Sequence, residues 1–194
     1  MRGFVKIMLF VLASALAGYA QIPSGNVFLG YSYMRGSVFS QNVLLQPPSR
    51  NANFNGWDAS IEGKFLPFIG IVADVSQTYG SQSFTLCGPA PSPPCILGQR
   101  INSRVLTGMV GARASFSVKK FTPFAHALFG AAHISDSNSA SNSDTSFATA
   151  IGGGLDYKFV KGVAWRFQGD ELHTHFFGGG QNNFRFATGL VLRF

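Results

Sequence analysis

The chain ends on a strand pattern that leaves little choice of fold. In the stretch 184–194, Phe184, Phe186, Thr188, Leu190, Leu192 and Phe194 fall on one face, and Arg185, Ala187, Gly189, Val191 and Arg193 fall on the other. A period of two is that of a β-strand. Bulky groups confined to one side mean that this side meets lipid or a core, while the other side takes small and basic residues. A strand like this is not stable alone and needs a sheet of similar two-faced neighbours.

The front of the chain bears on where that sheet is built. Arg2 and Lys6 precede and open an apolar run, Ile7 to Leu16, and Gly18-Tyr19-Ala20 sets small residues before a cut after Ala20. Charge, length and cleavage chemistry are those of a secretory signal peptide. The run is too short for a spanning helix, which needs about 20 apolar residues, so a retained N-terminal anchor fits poorly. No lipobox cysteine lies near the cut, which argues against a lipoprotein. The division expected is residues 1–20 as signal peptide and residues 21–194 as one barrel domain.

Composition narrows the choice. Aromatic residues make up 14% and charged residues 12% of the chain, with 23 glycines; the charged share is about half the usual one. Nothing after residue 20 is apolar for long enough to form a transmembrane helix. An exported, apolar chain without such a helix is accommodated by a closed β-barrel, which satisfies every backbone group between strands and leaves no edge in lipid. The net charge of +7 falls to +5 without Arg2 and Lys6. That balance suits outer-membrane lipid and lipopolysaccharide phosphates as partners. The basic residues are scattered, so nucleic-acid binding is not supported.

Turn signals and alternation divide the remainder into eight segments, near Gly25–Arg35, Asn53–Lys64, Ile69–Tyr79, Gln99–Phe116, Thr122–Ile134, Ser146–Phe159, Val163–Phe176 and Asn183–Phe194. Each is close to or longer than the roughly 9–11 residues of a tilted membrane strand. The bulky faces, such as Val27, Leu29, Tyr31 and Tyr33 in the first, are expected outward. The small and charged faces, such as Asp58, Ser60 and Glu62 in the second, are expected inward. The seventh segment loses its alternation at Glu171-Leu172, which predicts a bulge. Connections alternate between short (65–68, 117–121, 160–162) and long and polar (36–52, 80–98, 135–145, 177–182). Short turns on one side and long loops on the other are the asymmetry of outer-membrane barrels. The main alternative is a water-soluble calyx of the lipocalin kind, with the aromatic face turned inward around a ligand.

These patterns resemble a known family. Gly56-Trp57-Asp58-Ala59-Ser60, Gly70-Ile71-Val72-Ala73-Asp74-Val75-Ser76, Pro123-Phe124-Ala125-His126, Gly152-Gly153-Gly154-Leu155-Asp156 and Gly189-Leu190-Val191-Leu192-Arg193-Phe194 look like the eight-stranded OmpA-type outer-membrane β-barrel, also described as a porin-family barrel. The resemblance covers essentially the whole mature chain. It implies an all-β, eight-stranded, antiparallel, up-and-down barrel. It implies that Phe184, Phe186, Leu190, Leu192 and Phe194 form the C-terminal assembly signal, read by periplasmic chaperones and the barrel-assembly machinery. OmpA itself carries a separate peptidoglycan-binding domain, and the resemblance does not carry that activity over.

Several groups are candidates for chemistry. Asp58, Glu62, Asp74, Arg113, His126, Asp156, Lys158, Arg166, Asp170, Arg185 and Arg193 would share a lumen just wide enough for side chains. Unpaired buried charge is costly, so a plug of ion pairs is expected, with a gated ion path as the alternative. His173-Thr174-His175 sets two imidazoles on one face, without the further ligands a structural metal site requires; no metal and no cofactor are expected. Cys87 and Cys95 bracket a proline-rich stretch and read as a disulfide that stiffens an outer loop, at roughly 2–3 kcal/mol. Tyr31, Tyr33, Trp57, Tyr79, Tyr157 and Trp165 are candidates for the interface aromatics. Catalytic motifs are absent from the sequence, and Asp170, His173 and His175 offer only a loose imitation of a rim-borne catalytic set. The function expected is that of a monomeric, non-catalytic barrel that serves the envelope or presents surface loops. A small porin is the second reading and a lipid-modifying enzyme the third.

Overall fold

A computed structural model of the protein describes residues 24–36, 52–86, 96–136, 143–176 and 179–194. These form eight strands: β1 (Ser24–Gly36), β2 (Ala52–Lys64), β3 (Ile69–Leu86), β4 (Ile96–Ser115), β5 (Phe121–Asp136), β6 (Ser143–Val160), β7 (Val163–Thr174) and β8 (Gln181–Arg193). Each pairs antiparallel with its neighbours in sequence, and β1 pairs with β8, closing the barrel. The seam runs from Asn26↔Arg193 to Arg35↔Phe184, and Gly25 and Phe194 exchange backbone hydrogen bonds of 3.0 and 3.1 Å beyond it. The wall is thus closed by strand-to-strand pairing all the way round. Among the described residues no helix is long and apolar enough to cross a membrane.

The tight turns sit at one end. Gly162 has φ 83° in the β6–β7 turn, and Lys119 has φ 54° in the β4–β5 turn. The left-handed region is easy for the glycine and costs the lysine its usual preference. Strands β3 to β6 run to 16–20 residues, against 12–13 for the other four. One wall of the barrel is therefore taller at the loop end, well beyond the length of a bilayer crossing. The sequence pattern stops β3 at Tyr79, but the strand continues to Leu86.

Side-chain direction alternates along every strand. The exposed face carries Val27, Leu29, Ile61, Ile71, Val75, Val110, Phe129, Ile151, Phe167, Leu190 and Leu192. The enclosed face carries the charges, and this inverts the arrangement of a calyx. The expected bulge at Glu171-Leu172 is not there. β7 keeps register with both neighbours throughout that stretch, with Ile151↔Glu171 on one side and Leu172↔Asn183 on the other. The direction of the side chains still alternates, but the chemistry inverts. Glu171 points out, and Leu172 is fully buried in the lumen. The register shifts instead at Lys158/Val160 and at Phe84/Thr85.

Residues 1–20, with the expected cleavage site, lie outside the described residues, as do Cys87 and Cys95.

Candidate functional site: the barrel interior

Three tiers fill the lumen. The tier nearest the turns joins two acids to three arginines. Arg166 meets Asp156 with two hydrogen bonds, Nε to Oδ1 at 2.7 Å and Nη2 to Oδ2 at 3.0 Å. Arg193 donates to the same carboxylate at 3.1 Å. Arg113 Nη1 donates to Glu62 at 3.1 Å, and the Asn26 amide donates to the same oxygen at 2.6 Å. The Arg166 guanidinium lies between the rings of Phe28 and Phe124, 5.1 and 4.7 Å from their centroids, and Arg113 lies 4.5 Å from that of Phe124. Guanidinium stacking on an aromatic face suits Arg, which is weakly hydrated and planar. A cavity of about 160 Å³, lined in part by Lys64, Glu62 and Arg193, opens this tier at the turn end.

The middle tier inverts the balance. Here Arg185 serves three carboxylates. Its Nε and Nη2 donate to Asp170 Oδ2 at 2.9 and 2.8 Å, and its Nη1 donates to Asp74 Oδ1 at 2.9 Å and to Ser76 Oγ at 3.0 Å. Asp58 stands farther off, 3.7 Å from Nη1, and neither of its oxygens has a hydrogen-bond partner among the described residues. His126 Nε2 meets Asp170 at 2.8 Å, while its Nδ1 faces Arg113 Nη2 at 3.5 Å and ties the two tiers together. A guanidinium only donates, so these contacts suit the tautomer with its proton on Nε2. Gln168 adds a third kind of donor to Asp170 at 3.0 Å.

The third tier, towards the loops, is largely apolar, with Thr78, Thr174, Gln181 and Asn183 buried among the apolar groups. Met34, Phe54, Val105, Ile134, Leu172 and Phe176 are each 3% exposed or less and belong to one continuous cluster with Met109 and Leu128. Interior glycines make room for the rings: a Cβ on Gly80 would lie 2.5 Å from Phe54, and one on Gly154 would lie 2.7 Å from Phe124.

Of the residues singled out in the sequence, Asp58, Glu62, Asp74, Arg113, His126, Asp156, Arg166, Asp170, Arg185 and Arg193 come together in this network. Lys158 is half-buried and joins none of these pairs. The stacking rings of Phe28 and Phe124 and the amide of Asn26 were not singled out. Their parity with Gly30 and His126 is the signal that places them inside.

The outer candidates separate. His173 and His175 are exposed, with ring centroids 6.2 Å apart, whereas Asp170 is buried in the lumen. Strand parity therefore puts the loose Asp170/His173/His175 set on opposite faces of β7. His133 is taken up by Thr145 at 2.7 Å and Ser135 at 3.0 Å. Among the described residues no cluster of three His, Cys, Asp or Glu side chains could hold a metal ion.

Phe184, Leu190, Leu192 and Phe194 are exposed on the outer face of the seam, Phe186 is half-buried there, and the Phe194 ring covers Gly25. Tyr31, Tyr33, Trp57 and Tyr79 lie towards the loop end. Tyr157 and Trp165 pair across β6–β7 towards the turns, where Phe121 and Phe159 flank Tyr157 at 5.2 and 5.1 Å.

An apolar exterior, a sealed wall and a charge-filled interior define the class: a closed barrel built for a membrane. Solved structures share the architecture. Neisserial surface protein A aligns with a TM-score of 0.65 at 10% identity, covering 88% of this chain and 97% of that one. Ail of Yersinia pestis, in complex with the heparin analogue sucrose octasulfate, gives 0.57 at 12% identity and covers 88% and 98%. The N-terminal β-barrel domain of Pseudomonas aeruginosa OprF gives 0.53 at 12% identity and covers 88% and 97%. At such identities the likeness is one of fold, and the fold is that of the OmpA-type eight-stranded outer-membrane barrel. No family model matches the chain, and no curated protein matches it.

Proposed function

We propose that the protein is a monomeric, non-catalytic and non-conducting barrel of the bacterial outer membrane. Its work is structural: to anchor in the envelope and to hold its long loops at the surface. The lumen carries this reading. Two tiers of paired charge sit beneath an apolar tier whose six principal side chains are nearly inaccessible. An ion crossing it would have to displace a guanidinium from two carboxylates and then pass a largely apolar layer, and neither step is cheap. The ion pairs are engaged with one another, so they are not free to act as acid, base or nucleophile.

Insertion of the refolded barrel into a planar bilayer tests this directly. The expected record shows no unitary steps. Reproducible steps would favour the second reading, a narrow channel, for which the unpartnered oxygens of Asp58 are the observation in support. An unchanged lipid A mass spectrum after deletion of the gene is expected, because no lipid-modifying role is assigned.

A further inference from the structure

We propose that the outer face of β2–β5, just beyond the apolar belt at the loop end, binds the phosphate of a membrane lipid headgroup; this rests on the outer-membrane reading above. A groove of about 630 Å³ lies there, with Asn53, Asn55, Tyr79, Arg104 and Ser135 in its lining and no carboxylate among the described lining residues. The register builds it. Asn55 pairs with Tyr79, Tyr79 with Arg104, and Arg104 with Ser135, so four outward polar side chains stand in one row across four strands. Directly opposed residues of this kind are near neighbours, about 5 Å apart.

The donors of the row are Asn55 and Arg104, since the Tyr79 hydroxyl donates to Gln77 Oε1 at 2.8 Å and Ser135 Oγ pairs with His133 Nε2 at 3.0 Å. Tyr33 on β1 donates to Asn53 Oδ1 at 2.8 Å, and Tyr31 donates to Asn55 Oδ1. Each amide oxygen is occupied on the β1 side, which leaves the NH₂ group, a pure donor, for the groove side. Arg104 is exposed and joins none of the ion pairs among the described residues. A guanidinium and amide donors, with no acid among the described lining residues, suit a phosphate, with its several acceptor oxygens and negative charge.

The rows below fix the level. On the same strands the next row towards the turns is Trp57, Gln77, Leu106 and His133, and the one after it is Ala59, Val75, Gly108 and Ala131. From mid-barrel to loops the wall passes from apolar, to aromatic and amide, to cationic and polar. Hydrocarbon, interface and headgroup follow one another in the same order.

The test titrates the folded protein in detergent with dioleoyl phosphatidic acid, with phosphatidylcholine of the same chains, and with inorganic phosphate, counting bound molecules by native mass spectrometry. Phosphatidic acid should bind wild type more tightly than phosphatidylcholine does. Binding should fall roughly tenfold in Arg104→Gln, fall also in Asn55→Leu, and stay unchanged in Lys161→Gln at the turn end. Excess inorganic phosphate should not displace the lipid. Equal binding by wild type and R104Q overturns the site. Displacement by inorganic phosphate with the same Arg104 dependence overturns the lipid as its ligand. Each sample is also run boiled and unboiled on an SDS gel. A wild type without a mobility shift would defeat the barrel reading itself, a failure distinct from the loss of Arg104 dependence.

Discussion

Replacing Arg185 by methionine should be the most damaging single change in the lumen. The side chain is about 1% exposed and lies 2.8 Å from Asp170, 2.9 Å from Asp74 and 3.7 Å from Asp58. At an effective dielectric of about 20, each contact near 3 Å represents about 5 kcal/mol of gross attraction, most of it offset by desolvation of the partners. Methionine fills similar volume but leaves three buried carboxylates facing one another, with only His126 and Gln168 to meet Asp170. Stranding buried charge in this way costs about 3–5 kcal/mol, a large part of a typical folding free energy. The assay is a urea titration of the barrel in detergent or vesicles, followed by gel mobility. The loss should shrink as the pH is lowered, because protons then neutralise the stranded carboxylates. Adding Asp74→Asn and Asp170→Asn to Arg185→Met should restore at least half of it, since the charges would then be absent rather than unpaired. A single variant within about 1 kcal/mol of wild type, at unchanged slope, would refute the claim that Arg185 holds the middle tier together.

Three further predictions concern the network and the wall. Asp170→Asn should cost more than Asp58→Asn, because Asp170 accepts from Arg185, His126 and Gln168 while Asp58 accepts from none of the described groups; charge-assisted bonds are each worth about 1.5–3 kcal/mol, and equal urea midpoints would contradict this. Leu190→Arg places a charge on the exposed outer face of β8 and should cost about 2–4 kcal/mol in refolding into vesicles if that position lies near the bilayer midplane; an unchanged midpoint would reverse the assignment of faces. Deleting Phe194 removes both its backbone exchange with Gly25 and the ring that covers it, so the yield of assembled protein in the outer-membrane fraction should fall, and a normal yield would count against a terminal assembly signal.

The exterior was legible because lipid-facing strands carry their signal locally. Leu29, Ile71, Val110 and Leu190 are bulky residues alternating with small or polar ones, and a period of two survives any error in pairing. The inward direction of Asp58, Asp74, Asp156 and Asp170 followed from the same parity. Which arginine each acid meets did not, because Arg185 reaches Asp74 across 111 positions of sequence, and only the closed register brings them together. The apolar tier was hidden for a different reason. Phe54, Ile134 and Leu172 have the same local chemistry as a lipid-facing residue, so an inward apolar group looks like a break in the pattern. Leu172 beside Glu171 therefore suggested a bulge where β7 is regular. The loop end of β3 was lost because Ser81 and its neighbours are polar on both faces, and alternation without contrast leaves no trace.

Gel mobility of the membrane-extracted protein, boiled against unboiled in SDS, tests the account most directly. A closed barrel resists the detergent until heated, so the unboiled sample should migrate differently from the boiled one. Identical mobility, with the protein recovered soluble from the periplasm, would mean that the apolar faces turn inward and that the chain is a calyx.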